Sequence, residues 1–140
     1  MVYIRKKPLN VETTNVVKSS LIDITDVPFS RPTYVVFLSK RVDVHSWPQL
    51  FYQVVSLLID KHPKYAEELC VQKGTGVRNI KDKLRSPLQI KNLNVWIERN
   101  NNTENICRNI NNVVKYSGFI KTFECGYHKE KRNEKNKVQK

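Results

Sequence analysis

Cysteine is scarce in this sequence of 140 residues: Cys70, Cys107 and Cys125 stand far apart, and no two of them form a Cys-x-x-Cys pair. An odd count at wide spacing argues against a disulfide framework and against a zinc knuckle, and unpaired thiols point to a reducing, cytoplasmic setting. Long apolar runs are missing as well. No stretch approaches the ~18 apolar residues of a membrane-spanning helix, and the polar N-terminus lacks the apolar core of a signal peptide. No membrane partner is expected.

Catalytic motifs are thin. Gly74-Thr75-Gly76-Val77-Arg78 has the look of a phosphate loop, but no Gly-Lys-Ser/Thr follows it, as a nucleotide-binding P-loop requires. His45, His62 and His128 form no His-x-x-x-His pair, and no cysteine stands at ligand spacing from any of them, so they read as surface or helix-boundary histidines. Cys125-Gly126-Tyr127-His128 sets a thiol three residues from an imidazole without an identifiable Asn or Asp to orient it. No Asp…Glu-x-Lys arrangement follows a strand to hold a divalent ion for phosphodiester cleavage; Glu98 and Arg99 end a strand but the lysine is missing. The chain is therefore expected to be non-catalytic, without metal or cofactor.

Positive charge is what the sequence has in excess: 25 basic against 13 acidic residues give a formal net charge of +12. The ends carry more than half of it. Arg5, Lys6 and Lys7 lie in a polar arm over residues 1–20, and residues 129–140 hold six basic and two acidic side chains with Val138 as their only apolar residue. That segment reads as a solvated, flexible basic tail. Between them, residues 21–128 have the composition of a single domain with one core. Such a balance attracts polyanions, whether nucleic acid, an acidic protein face or anionic lipid.

The pattern along residues 21–128 predicts an α+β fold, a small antiparallel or mixed sheet of about four strands packed against two or three helices. Leu21 to Thr25 alternates as a short strand or an approach to the core before Pro28 and Pro32 interrupt. Tyr34 to Leu38 is β-branched and aromatic throughout, Ser39-Lys40-Arg41 turns the chain, and Val42 and Val44 suggest a hairpin partner at one edge of the sheet. Ser46 with Gln49 three residues later makes a capping box, Pro48 suits the first turn, and Leu50, Phe51, Val54, Val55, Leu57 and Leu58 recur at helical spacing. Trp47, at the start of that helix, reads as a core anchor. Pro63 to Cys70 predicts a second short helix. Residues 71–91 read as an extended loop, and Leu93, Val95 and Ile97 alternate as a half-buried strand. Thr103 is the expected N-cap of a helix closed by Gly118, and Phe119 to Cys125 is expected to complete the sheet.

The loop carries the candidate site. Lys73, Arg78, Lys81, Lys83, Arg85 and Lys91 fall within nineteen residues, near Trp96 on the adjoining strand. Lysine and arginine neutralise phosphates and release counterions, giving salt-sensitive and largely sequence-independent affinity. An exposed Trp96 would add stacking on an unpaired base, worth roughly 1–3 kcal/mol; a buried one would be core.

Residues 34–120 also resemble a small accessory module appended to bacterial restriction-type and other mobile-element or defence proteins. The likeness lies in the strand and turn from Tyr34, Val42-Asp43-Val44, Ser46-Trp47 and the amphipathic helix. It continues in Arg85-Ser86-Pro87-Leu88-Gln89-Ile90, in Val95-Trp96-Ile97-Glu98-Arg99-Asn100 and in the Thr103–Gly118 helix. The sequence departs from that pattern at Asn101-Asn102-Thr103, where the module has small residues, and in a middle loop without its aromatics. The resemblance implies a non-catalytic, nucleic-acid-associated, accessory domain linked to restriction or defence.

Two readings of different class follow. The first is a DNA-binding or RNA-binding domain that grips phosphates through the basic loop and termini. The alternative is an interaction module docking on an acidic protein, with the same charges steering and an apolar patch holding. An enzyme built on Cys125 and His128, or on a metal site assembled by the fold, is a third.

Overall fold

A computed structural model of the chain describes residues 16–129. The strands are β1 (Val16–Ser19), β2 (Ser30–Phe37), β3 (Lys40–Asp43), β4 (Val77–Arg78), β5 (Pro87–Gln89), β6 (Trp96–Glu98) and β7 (Glu124–Lys129). The helices are α1 (Trp47–Lys61), α2 (Tyr65–Val71) and α3 (Thr103–Ser117), with short 3₁₀ turns at Ile24–Phe29 and Ile120–Thr122. The fold is α+β. It contains two antiparallel sheets, one of four strands in the order β1-β7-β2-β3 and one of three in the order β4-β6-β5.

The larger sheet follows from alternation along β2 and β7. Val35 and Phe37 are fully buried on one side and stand with Cys125 and Tyr127 in the core. Val35 pairs with Cys125, and Tyr34 and Val36 point to the other face. β3 is the edge strand, as the hairpin pattern predicts. The turn differs by one step: Leu38 and Ser39 form it, both at positive φ, and Lys40 and Arg41 already belong to β3. Positive φ at both central residues is the backbone of a type I′ hairpin, whose twist matches that of the strands.

α1 begins where the capping box places it. The Ser46 hydroxyl accepts the Gln49 N–H at 3.2 Å, and Gln49 Oε1 accepts the His45 N–H at 2.8 Å. Leu50, Phe51, Val54, Val55 and Leu58 are buried along its inner stripe, and Trp47 packs on Tyr127 with its indole N–H on the Ser30 carbonyl. α3 packs against α1 and buries Ile106, Cys107, Ile110, Val113 and Val114. Its N-cap is Asn102, which accepts the Asn105 N–H at 2.8 Å, rather than Thr103. Asn caps as well as Thr and stands one residue earlier. Gly118 ends α3 in the left-handed conformation.

Two strands predicted from alternation begin elsewhere. Leu21 to Thr25 is not a strand: Asp23 caps the 3₁₀ turn by accepting both the N–H and the hydroxyl of Thr25, at 3.0 and 2.7 Å. Such local side-chain bonds compete with a sheet ladder. Ile22 and Val27 from this segment are nevertheless core, and the Asn111 amide holds Ile22 by both its N–H and its carbonyl, each at 2.9 Å. Phe119 to Cys125 likewise starts as a 3₁₀ turn, and the ladder runs over β7. The sheet instead gains β1, which lies inside the stretch read as a polar arm, and Lys129, read as the start of the tail, ends β7. The rest of that arm and tail lies outside the described residues.

Candidate nucleic-acid interface

The segment over 71–91 is not a featureless loop. It contains β4 and β5, which flank β6 and make the smaller sheet. Strands of two and three residues are too short to show a period, so basic and polar residues hid them. Buried side chains aim this sheet. On the rung Val77–Ile97–Leu88, Val77 and Ile97 are fully buried and Leu88 is half-buried against the core. The neighbouring rung, Arg78–Trp96–Gln89, faces the opposite way because strand side chains alternate. Arg78 and Gln89 are exposed there, and the Trp96 ring is half-buried between them.

Lys81 joins this face. Its ammonium stands 5.2 Å from the centre of the Trp96 ring, a cation–π contact worth about 0.5–1 kcal/mol at an exposed site. The Asn94 side-chain carbonyl accepts the indole N–H at 3.4 Å. Arg78, Lys81, Trp96, Gln89 and Asn94 therefore form one polar, cationic and aromatic surface. Gln89 and Asn94 were not among the residues expected from sequence; the ladder register places Gln89 beside Trp96, and the hydrogen bond to the indole places Asn94.

The other expected residues are placed differently. Lys83 is exposed in the turn closed by the Leu84 N–H on the Lys81 carbonyl. Arg85 is exposed, but its guanidinium donates to the Asn100 carbonyl at 3.3 Å. Lys91 forms an ion pair with Asp60 of α1, and its backbone N–H donates to the Tyr52 hydroxyl at 3.2 Å. Lys73 is exposed ahead of the glycine turn. The seven residues thus divide into a contiguous group (Arg78, Lys81 and Trp96), an exposed pair (Lys73 and Lys83), and two engaged within the protein.

Glu98 holds the edge of this sheet. Its carboxylate accepts backbone N–H groups from Arg85 at 2.7 Å, from Ser86 at 2.9 Å and from Asn100 at 2.9 Å. Partial burial works against the charge, but these N–H bonds and the nearby Arg85 guanidinium outweigh it and hold the carboxyl below its ordinary range. The acidic group at the strand end is a clamp on two turns.

The glycine turn is also structural. Thr75 is fully buried, donates its hydroxyl to the Leu69 carbonyl at 2.8 Å and accepts the Val77 N–H at 3.3 Å. Gly74 and Gly76 take positive φ, and the Asn112 amide donates to the Gly74 carbonyl at 2.8 Å. The loop's polar groups face α2 and α3, and what they do is launch β4 so that Arg78 reaches the rung.

The Cys125–His128 pair is separated by the pleat. Cys125 is fully buried beside Val35, and burial, with the Glu124 charge adding, pushes its thiol up to about 12. His128 points to the other face and lines a surface cleft of about 520 Å³ with Arg31, Asp43 and His45. His62 stacks on Phe119 with ring centres 4.9 Å apart. Among the described residues, no group of three or more His, Cys, Asp or Glu is placed to hold a metal ion, and no helix is long and apolar enough to cross a membrane.

In comparisons with known proteins, the chain matches no family model, no curated protein and no solved structure.

Proposed function

We propose that this chain is a non-catalytic nucleic-acid-binding domain that engages its ligand with the outer face of the β4-β6-β5 sheet. The observation that carries the reading is the Arg78–Trp96–Gln89 rung with Lys81 over the ring: two cations and an aromatic on one outward surface. Cations there neutralise phosphates, and the net charge of +12 brings a polyanion to the surface quickly. Basic residues of the termini add sequence-independent affinity. Three free thiols, two of them buried, fit work in the reducing cytoplasm. A link to bacterial restriction or defence rests on the sequence resemblance alone.

The test is a salt titration of binding by the full chain. On a single strand each neutralised phosphate contributes about 0.7 to the slope of log affinity against log salt. Replacing Arg78, Lys81 and Lys83 together by alanine is expected to flatten that slope by about 2. A slope that depends only on Lys131, Arg132, Lys135, Lys137 and Lys140, tested by glutamine replacement, contradicts the reading.

A second reading, docking on an acidic protein, is favoured by one observation. Val71 is 81% exposed and Ile80 59%, large values for apolar side chains. Val71 lines a groove of about 410 Å³ with Ala66, Cys70, Leu93 and Val95. Loss of a partner on Val71→Asp with nucleic-acid affinity intact supports that reading.

A further inference from the structure

We infer that the ligand of this face is an unpaired nucleic-acid strand, one of whose bases stacks on Trp96 in the place that Lys81 occupies in the free protein. The inference rests on the nucleic-acid reading above and specifies its ligand.

Three observations lead to it. The first is size. Three strands spaced ~4.8 Å apart, each two or three residues long, give a platform about 10 Å across, the footprint of one base rather than of a duplex groove. The second is orientation. Trp96 stands on the outward rung between Arg78 and Gln89, and Asn94 fixes its indole edge, so the ring is held in place before any ligand arrives. A duplex hides the faces of its bases and leaves such a ring without a partner, whereas an unpaired strand offers one at every nucleotide.

The third is Lys81. Its ammonium, 5.2 Å from the ring centre, covers the surface a base would use. Stacking wins the competition. An exposed cation–π contact corresponds to about a 2- to 5-fold effect, and a base stacked on an aromatic side chain to about a 5- to 150-fold effect. A displaced Lys81 is not lost: its long stem carries the charge from the ring to a phosphate of the same strand. Lys81 thus rests over the ring in the free protein and grips the backbone in the complex.

The experiment uses the full chain, a 12-nucleotide oligodeoxythymidylate and a 12-base-pair duplex at moderate salt. The single strand is expected to bind at least about 10-fold more tightly than the duplex. Trp96→Ala is expected to weaken strand binding by about 5- to 150-fold and duplex binding by less than about 2-fold. Trp96→Phe keeps most of the affinity while abolishing the fluorescence quenching that a stacked base produces, because Trp47, only 4% exposed, stays silent. Unchanged strand affinity in Trp96→Ala, or equal losses on strand and duplex, overturns the inference. If affinity in that case still falls on Arg78→Ala and Lys81→Ala, the nucleic-acid reading survives without it; if neither ligand binds, both fall.

Discussion

A Cβ added to Gly76 would lie 2.2 Å from Nδ2 of Asn109, and Gly76 itself sits at φ +72°. Gly118, at φ +80°, has nothing within 4 Å of such an atom. The pair separates two costs of replacing glycine. Gly118→Ala bears only the left-handed backbone term of about 1–2 kcal/mol. Gly76→Ala adds the collision with α3, for a total of about 2–4 kcal/mol. Chemical denaturation of both variants measures the difference, and equal losses would mean that Asn109 yields freely.

Glu98 makes the fold sensitive to acid. Its carboxyl lies below the ordinary 4.5 in the folded protein, so its contribution is present above the unfolded value and is lost as pH falls through the folded one. Wild type is expected to lose stability below about pH 4.5 more steeply than Glu98→Gln. Urea midpoints between pH 3 and 6 (roughly the range over which such a carboxyl titrates) give the comparison, and parallel curves would show that Glu98 titrates alike in both states.

Asn111 bonds both backbone groups of Ile22, fastening the segment before β2 to α3. Asn111→Ala leaves a donor and an acceptor without their partner and is expected to cost about 1–3 kcal/mol. Hydrogen exchange at the Ile22 amide should accelerate more than exchange in α1.

Stability can also be raised. Ser39 is exposed and holds φ 68°, a conformation that costs a residue with a Cβ about 1 kcal/mol or more. Ser39→Gly is expected to raise the melting temperature of the hairpin-dependent fold. A lower value would place the hydroxyl in a contact that outweighs the strain.

The six basic residues of the segment are not equivalent. Lys91 is paired with Asp60, whereas Lys81 stands on Trp96 at the face. Lys81→Ala is expected to weaken nucleic-acid binding several-fold more than Lys91→Ala, although the two are alike in charge. Equal losses would indicate attraction by net charge without a defined face.

The larger elements were legible because their residues repeat: Leu50 to Leu58 and Ile106 to Val114 announce helices, and Tyr34 to Phe37 a strand. The smaller sheet was not, since β4 and β5 offer two and three residues each and are defined by partners distant in sequence. The same limit applied to the site. Charge density and a neighbouring aromatic identified Arg78, Lys81 and Trp96, but only tertiary contacts separate them from Lys91, which pairs with Asp60, and add Gln89 and Asn94. Asp23 and Asn102 show the local counterpart, where one side-chain hydrogen bond moves an element boundary that alternation alone had drawn.

The most direct test of the central claim is residue-resolved mapping of amide chemical shifts in the full chain during titration with the single-stranded oligonucleotide. The account predicts that the largest changes fall on Arg78, Lys81, Gln89 and Trp96, with the Trp96 indole N–H among them. Changes confined to the termini, or centred on the face of the larger sheet that carries Tyr34 and Val36, would contradict it.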